Sequence, residues 1–299
     1  MVGTGLQACW RVLCQVARSW LADYVPSMGA ALAYYTMFSL APLLLIVVSV
    51  AGLVFGEDAA RGEIAAQLSA LMGERSAAAV QDLLASVKQP GPGASFSLLG
   101  LLLLVVGATT VFGELQDALD RIWRVPAKVA RSGWITLLRT RLLSFGLVLA
   151  IGFLLVVSLV ASTALAVLGR WGEPLFHGWY ALAASANALG SMVLVAVMFA
   201  LIYKVMPRVS VQWRDVWIGA LFTAALFILG KFAIGWYVGQ SGVASGFGAA
   251  GSLLVVLLWV YYSAQIFLIG AEFTWVYANT YGSRRPELAT ASASGTYSQ

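Results

Sequence analysis

The chain is poor in the side chains that most often carry chemistry. It has one histidine, two cysteines and only 10% charged residues in a length of 299. A lone histidine, His177, cannot build a metal cluster or a set of metal-spaced ligands. The same scarcity argues against a Ser-His-Asp nucleophile, and no glycine loop of the phosphate-binding type is present. No catalytic residue, metal site or cofactor is therefore expected. The cysteines, Cys9 and Cys14, stand five positions apart, on different sides of a helix. A bond between them is not expected, and free thiols fit a reducing cytoplasm. The shortage of charge is the widest exclusion. Soluble domains carry about 25% charged residues to cover their surface, so this chain is not expected to be a soluble enzyme.

Apolar residues fill that gap, at 61% of the chain. A membrane-crossing helix needs about 20 mostly apolar residues, and six stretches qualify. They fall at 27–56, 94–113, 142–168, 179–203, 216–238 and 251–278. Lys231 is the charge inside the fifth, and Glu272 lies near the end of the sixth. The net charge of +5 does not form a nucleic-acid stripe, because the bases gather at the ends of apolar runs. Counting termini and alternate loops, thirteen Lys and Arg lie on one side and four on the other. Cytoplasmic loops hold the excess of bases. Both termini are thus expected in the cytoplasm, which requires an even number of spans.

Three segments lie outside the spans. Residues 6–24 place Leu6, Trp10, Leu13, Ala17, Trp20, Leu21 and Tyr24 at helical spacing beside Arg11 and Arg18. This reads as a helix on the inner leaflet, with a soluble helix packed on the bundle as the alternative. In residues 57–89, Ile64, Leu68, Leu71 and Met72 form one helical set, and Val80, Leu83, Leu84 and Val87 a second. Gly73 separates them, so two short outer amphipathic helices are expected. The organisation is an N-terminal interfacial helix over 1–25, a membrane domain over 26–282 with an outer insertion at 57–93, and a disordered tail over 283–299. The fold class is an all-α membrane protein, a six-transmembrane-helix bundle.

Polar groups at membrane depth are the candidate functional residues. A lysine at the centre of a span costs about 2.5–3.5 kcal/mol on insertion scales. Lys231 is seven residues from Val238, roughly 10 Å from the outer end at 1.5 Å per residue. It either faces a cavity or snorkels outward. Gln265 lies near mid-depth with Tyr261 and Tyr262 one turn away, and Tyr34 and Tyr35 lie in the first span. Such groups either line a polar path or hydrogen-bond between helices. Gly246 and Gly248 sit in an uncharged glycine-rich link between the fifth and sixth spans. That link is either a re-entrant turn or a tight outer loop. Glu272 lies too near the cytoplasmic boundary to meet Lys231, and pairs with a base such as Lys204 or Arg208 or caps the bundle. Glu114, Asp117 and Asp120 share a helix face with Arg121 and Arg124 interleaved, which reads as a solvated, salt-bridged helix end.

Several segments together resemble one family. They are Met28-Gly29-Ala30 through Ala41-Pro42, Leu115-Gln116-Asp117 through Ile122-Trp123, Tyr203-Lys204-Val205-Met206-Pro207, and Leu258-Trp259-Val260-Tyr261-Tyr262 with Gly270-Ala271-Glu272. In order and spacing they are similar to the YihY/BrkB family of bacterial inner-membrane proteins, once labelled ribonuclease BN. The resemblance spans roughly residues 10–282. It implies a six-helix membrane fold and, from suggestions made for relatives, handling of envelope lipid or lipopolysaccharide. Together with Lys231 it sets the leading expectation, a transporter or translocation factor for an anionic lipid or other anionic envelope substrate. The alternative is a non-transporting organiser that binds lipids or envelope proteins, with homo-oligomers allowed. A membrane-associated ribonuclease is the remote third reading, and no nucleic acid partner is expected.

Overall fold

The computed structural model describes residues 2–87, 110–126, 146, 154, 179–240 and 250–285. Among these residues all regular structure is helical. The helices are α1 (Val2–Ala22), α2 (Val25–Phe55), α3 (Glu57–Met72), α4 (Glu74–Val87), α5 (Trp179–Val205), α6 (Trp213–Gln240) and α7 (Gly251–Thr280). Residues 110–122 are also helical. By length and composition, α5, α6 and α7 can each cross a membrane. The expected third span, apart from residues 146 and 154, and most of the second lie outside the described residues, as do His177, Gly246 and Gly248.

Local chemistry sets the helix ends. At the end of α1, Tyr24 takes a left-handed φ of 57°, and its N–H donates to the Leu21 carbonyl at 3.2 Å. Pro26 then sits in the first turn of α2, where its missing N–H has no helical partner to lose. Pro42 does not end α2. Gly73 divides α3 from α4 as the sequence predicts. Its φ of 84° and ψ of 156° fall where only glycine is comfortable.

The chain forms two compact units. One comprises residues 1–19, 119–226 and 269–299. In it Val12 and Val16 of α1 pack on Val276, beside Ile269, Phe273 and Trp275 of α7. The stripe of α1 carrying Trp10, Leu13 and Leu21 is exposed. The other unit comprises residues 20–118 and 227–268. Its core joins Met72, Ala77 and Val80 to Ile234, Val238, Val255 and Val256, with Met37 and Leu40 of α2 against them. Leu229, Phe232 and Trp236 of α6 are each about 70% exposed, at 70%, 67% and 71%. Large apolar side chains on the outside of such helices suit lipid rather than water.

Candidate functional site

In the unit containing residues 227–268, Gln265 is buried and its amide is fully engaged. Its Oε1 accepts from the Trp20 indole N–H at 3.1 Å. Its Nε2 donates to the carbonyls of Val25 and Pro26, both at 3.4 Å. The amide therefore fastens α7 to the α1–α2 junction. Gly29 makes the approach possible, because a Cβ there would overlap the Gln265 amide. Of the two roles open to Gln265 in the sequence, interhelical hydrogen bonding is the one its geometry fills.

In the unit containing residues 119–226 and 269–299, α6 and α7 meet through a reciprocal pairing of threonine and glycine. A Cβ on Gly270 would overlap Thr223 Oγ1 and Tyr203 OH, and a Cβ on Gly219 would overlap Thr274. Each threonine returns its hydroxyl proton to its own helix. Thr223 donates to the Gly219 carbonyl and Thr274 to the Gly270 carbonyl, both at 2.7 Å. With its proton so used, Thr223 Oγ1 accepts from the buried Tyr203 hydroxyl at 3.0 Å. Small residues that let helix backbones approach, with hydroxyls joining them, are the usual adhesive between membrane helices. The same device recurs in the other unit, where Gly230 lies against Tyr262 and Ile266.

The same unit carries a polar belt. Asp120 is 6% exposed, so the expected solvated, salt-bridged helix end holds for exposed Asp117 in its solvation, while Asp120 is salt-bridged but buried. Its Oδ2 lies 2.9 Å from Arg208 Nη1, and its Oδ1 accepts from the Arg208 backbone N–H at 2.9 Å. The pair offsets an acid placed at a helix C-terminus, where the dipole opposes negative charge. The Lys204 ammonium donates to the Val211 carbonyl and lies 5.5 Å from the Trp213 ring centroid. Asp215, in the first turn of α6, accepts from Ser283 Oγ at 2.6 Å and from Ser283 N at 3.2 Å. Of the segment 283–299 that the sequence reads as a tail, residues 283–285 are described and the rest lies outside the described residues.

Two arginines lie over tryptophans beside that belt. Helix 110–122 ends with Arg124 N–H donating to the Arg121 carbonyl at 3.0 Å and Val125 N–H to the Asp120 carbonyl at 2.9 Å. Those bonds define a Schellman cap, whose left-handed position is ordinarily glycine. Here it is Arg124, with φ 52°, at a cost of about 1 kcal/mol. Its guanidinium lies 4.1 Å from the Trp275 ring centroid. Arg284 lies 5.3 Å from the ring centroid of Trp123 and donates to the Ser210 carbonyl at 3.4 Å.

The structure does not bring all the sequence-predicted residues together. Lys231 is half-buried on α6, with Nζ 5.4 Å from the Phe232 ring centroid. Tyr261 is half-buried on α7. Tyr34 is exposed, edge-on to Tyr35 and Phe38 with centroids 5.5 and 4.9 Å apart, and so stands on the outer surface. Glu272 is wholly enclosed. Sequence reasoning missed Thr223 and Thr274, although their helical spacing from Gly219 and Gly270 signals a small-residue interface. It also missed Trp20 as the partner of Gln265. Among the described residues, no three His, Cys, Asp or Glu side chains gather where a metal could sit.

The family model described as Virulence factor BrkB matches residues 16–294. A UPF0761 membrane protein of Tolumonas auensis is 28% identical over 279 residues, covering 89% of this chain and 86% of the relative. One of Pseudomonas paraeruginosa is 29% identical over 260 residues, covering 86% of this chain and 60% of the relative. One of Azotobacter vinelandii is 30% identical over 281 residues, covering 92% and 64%. The chain thus spans less than two thirds of the Pseudomonas and Azotobacter relatives. No solved structure matches it. A match from Val16 almost to the last residue, with membrane-protein relatives along the same length, means that this chain belongs to the BrkB family of membrane proteins.

Proposed function

We propose that the chain is a six-span protein of the bacterial inner membrane, with both termini in the cytoplasm, that translocates an anionic lipid or a related anionic envelope substrate. The thirteen-to-four division of bases supports the orientation. On α6, exposed Trp217 and Trp236 are 19 residues apart in the sequence, about 28 Å at 1.5 Å per residue. That length matches a hydrocarbon core of about 30 Å with aromatic anchors at each face.

The position of Lys231 carries the functional reading. Gly230 before it is packed on α7, whereas Leu229 and Phe232 are exposed. Lys231 therefore stands at the border between the packed and the outward faces of α6, half-buried. Helical side chains lean toward their own N-terminus, which in this topology is the cytoplasmic end. Snorkelling to the nearer, outer interface works against that lean. An ammonium held at such a border attracts a phosphate headgroup, and no bond-making chemistry is required of the protein. Accelerated movement of anionic lipid in proteoliposomes, reduced by Lys231→Ala, is the expected result. Labelling of single cysteines placed at both termini from the cytoplasmic side alone tests the topology.

A second reading, a lipid-binding organiser without flux, draws on α1. Its exposed Trp10, Leu13 and Leu21 stand beside exposed Arg11 and Arg18, a composition suited to an anionic leaflet. Binding without translocation would select this reading. The ribonuclease reading ranks last, because among the described residues no three His, Cys, Asp or Glu gather where a metal could sit.

A further inference from the structure

We propose that Trp123, Arg124 and Arg284 form a binding site for a phosphate group, separate from Lys231 and independent of whether the protein transports lipid. The site begins with an unusual choice at a helix cap. A Schellman cap asks for glycine at its left-handed position, and this one holds Arg124. A residue kept in an unfavourable backbone conformation points to a use for its side chain. Arg124 is exposed, and Trp275 supports its guanidinium from one face at 4.1 Å. Stacking on a ring holds the guanidinium plane while its N–H groups at the edge still point outward, in the fork that matches phosphate oxygens.

The second observation is independent of the first. Trp123 is 2% exposed, and its indole N–H has no acceptor among the described residues. Buried polar groups are nearly always paired, and an indole N–H can only donate. Its missing partner is therefore an acceptor, as a phosphate oxygen is. Arg284 covers the Trp123 ring at 5.3 Å and is tied down by one long hydrogen bond of 3.4 Å. It can swing to admit that acceptor and then bind it.

The three groups share one neighbourhood. Trp123 and Arg124 are consecutive, Arg124 reaches Trp275, and Arg284 N–H donates at 3.0 Å to the carbonyl of Ala278, one turn beyond Trp275. Three acids lie nearby. Asp120 is held by Arg208, Asp215 by Ser283, and Glu272 is enclosed one turn before Trp275. Two arginines and one indole N–H supply a donor set for a phosphate monoester or diester.

The test is calorimetric titration of the purified full chain in maltoside micelles, which contain no phosphate. Short-chain phosphatidylglycerol and inorganic phosphate are titrated separately. Arg124→Gly removes the charge while giving the cap its preferred residue, so this variant keeps its fold. Trp123→Phe keeps the ring and removes only the N–H. The expected result is saturable binding by the wild type, weakened about tenfold by Arg124→Gly and by Arg284→Gln, and several-fold by Trp123→Phe. Binding of phosphatidylglycerol alone identifies a lipid headgroup site, and equal dependence for inorganic phosphate identifies a site for the bare group. Affinity unchanged by both Arg124→Gly and Trp123→Phe overturns the proposal. Should Trp123→Phe fail to fold, Arg124→Gly and Arg284→Gln decide it by the same criterion.

Discussion

Removing the Asp120 carboxylate is the sharpest probe of the polar belt. Asp120 and Arg208 are 88 residues apart in sequence, yet they meet at 2.9 Å through the side chains and again at 2.9 Å through the Arg208 backbone N–H. The side-chain contact is close but poorly aligned for a hydrogen bond, so its attraction is mainly Coulombic. Asp120→Ala loses that attraction and one charge-assisted hydrogen bond, and leaves a guanidinium at 22% side-chain exposure without this carboxylate. Breaking a fully buried pair costs about 3–5 kcal/mol. Partial exposure of Arg208 screens it, and relief from the helix dipole returns about 0.5 kcal/mol. The net expected loss is about 2–3 kcal/mol. Asp120→Asn keeps the acceptor for the backbone N–H and loses about half as much. The assay is a double-mutant cycle with Arg208→Met, read by reversible unfolding in mixed micelles. Asp120→Ala as stable as wild type, or a coupling energy near zero, refutes the reasoning.

Three further outcomes follow from the packing. Gly270→Ala drives a methyl into Thr223 and Tyr203 and destabilises by about 1–3 kcal/mol, whereas Gly190→Ala meets open space and is neutral; thermal unfolding in detergent compares them. Gln265→Leu strands the Trp20 N–H and costs about 1–2 kcal/mol, and Trp20→Phe in the same chain recovers part of it, as the same unfolding assay reads. Gly73→Ala forces a side chain into a glycine-only conformation at φ 84° and costs about 1–3 kcal/mol; faster proteolysis between α3 and α4 reports it.

What the sequence made legible was whatever depends on neighbours along the chain. Gly73 between two apolar helical sets placed the α3–α4 boundary correctly, because a backbone break is a local property. The long apolar runs of α5, α6 and α7 were legible because about twenty apolar residues in a row suit a membrane-crossing helix. The order of the family's motifs foretold the membrane family that the comparison then showed. Partners distant in sequence were not legible. Asp120 carries the same letters in a solvated helix end as in a buried pair, and only the approach of Arg208 decides between them. Gln265 reads in sequence either as a path residue or as an interhelical hydrogen-bonding group, and its partner Trp20 lies 245 positions away. The strain at Arg124 is a backbone angle, which no spacing of residues encodes.

Movement of an anionic lipid past Lys231 is tested most directly in proteoliposomes. Fluorescent phosphatidylglycerol and phosphatidylcholine are followed with the wild type and with Lys231→Ala, which must be inserted to the same level. Translocation above empty vesicles that favours phosphatidylglycerol and falls severalfold in the variant is the expected result. Translocation no faster than in empty vesicles, or equal rates for wild type and Lys231→Ala, contradicts it.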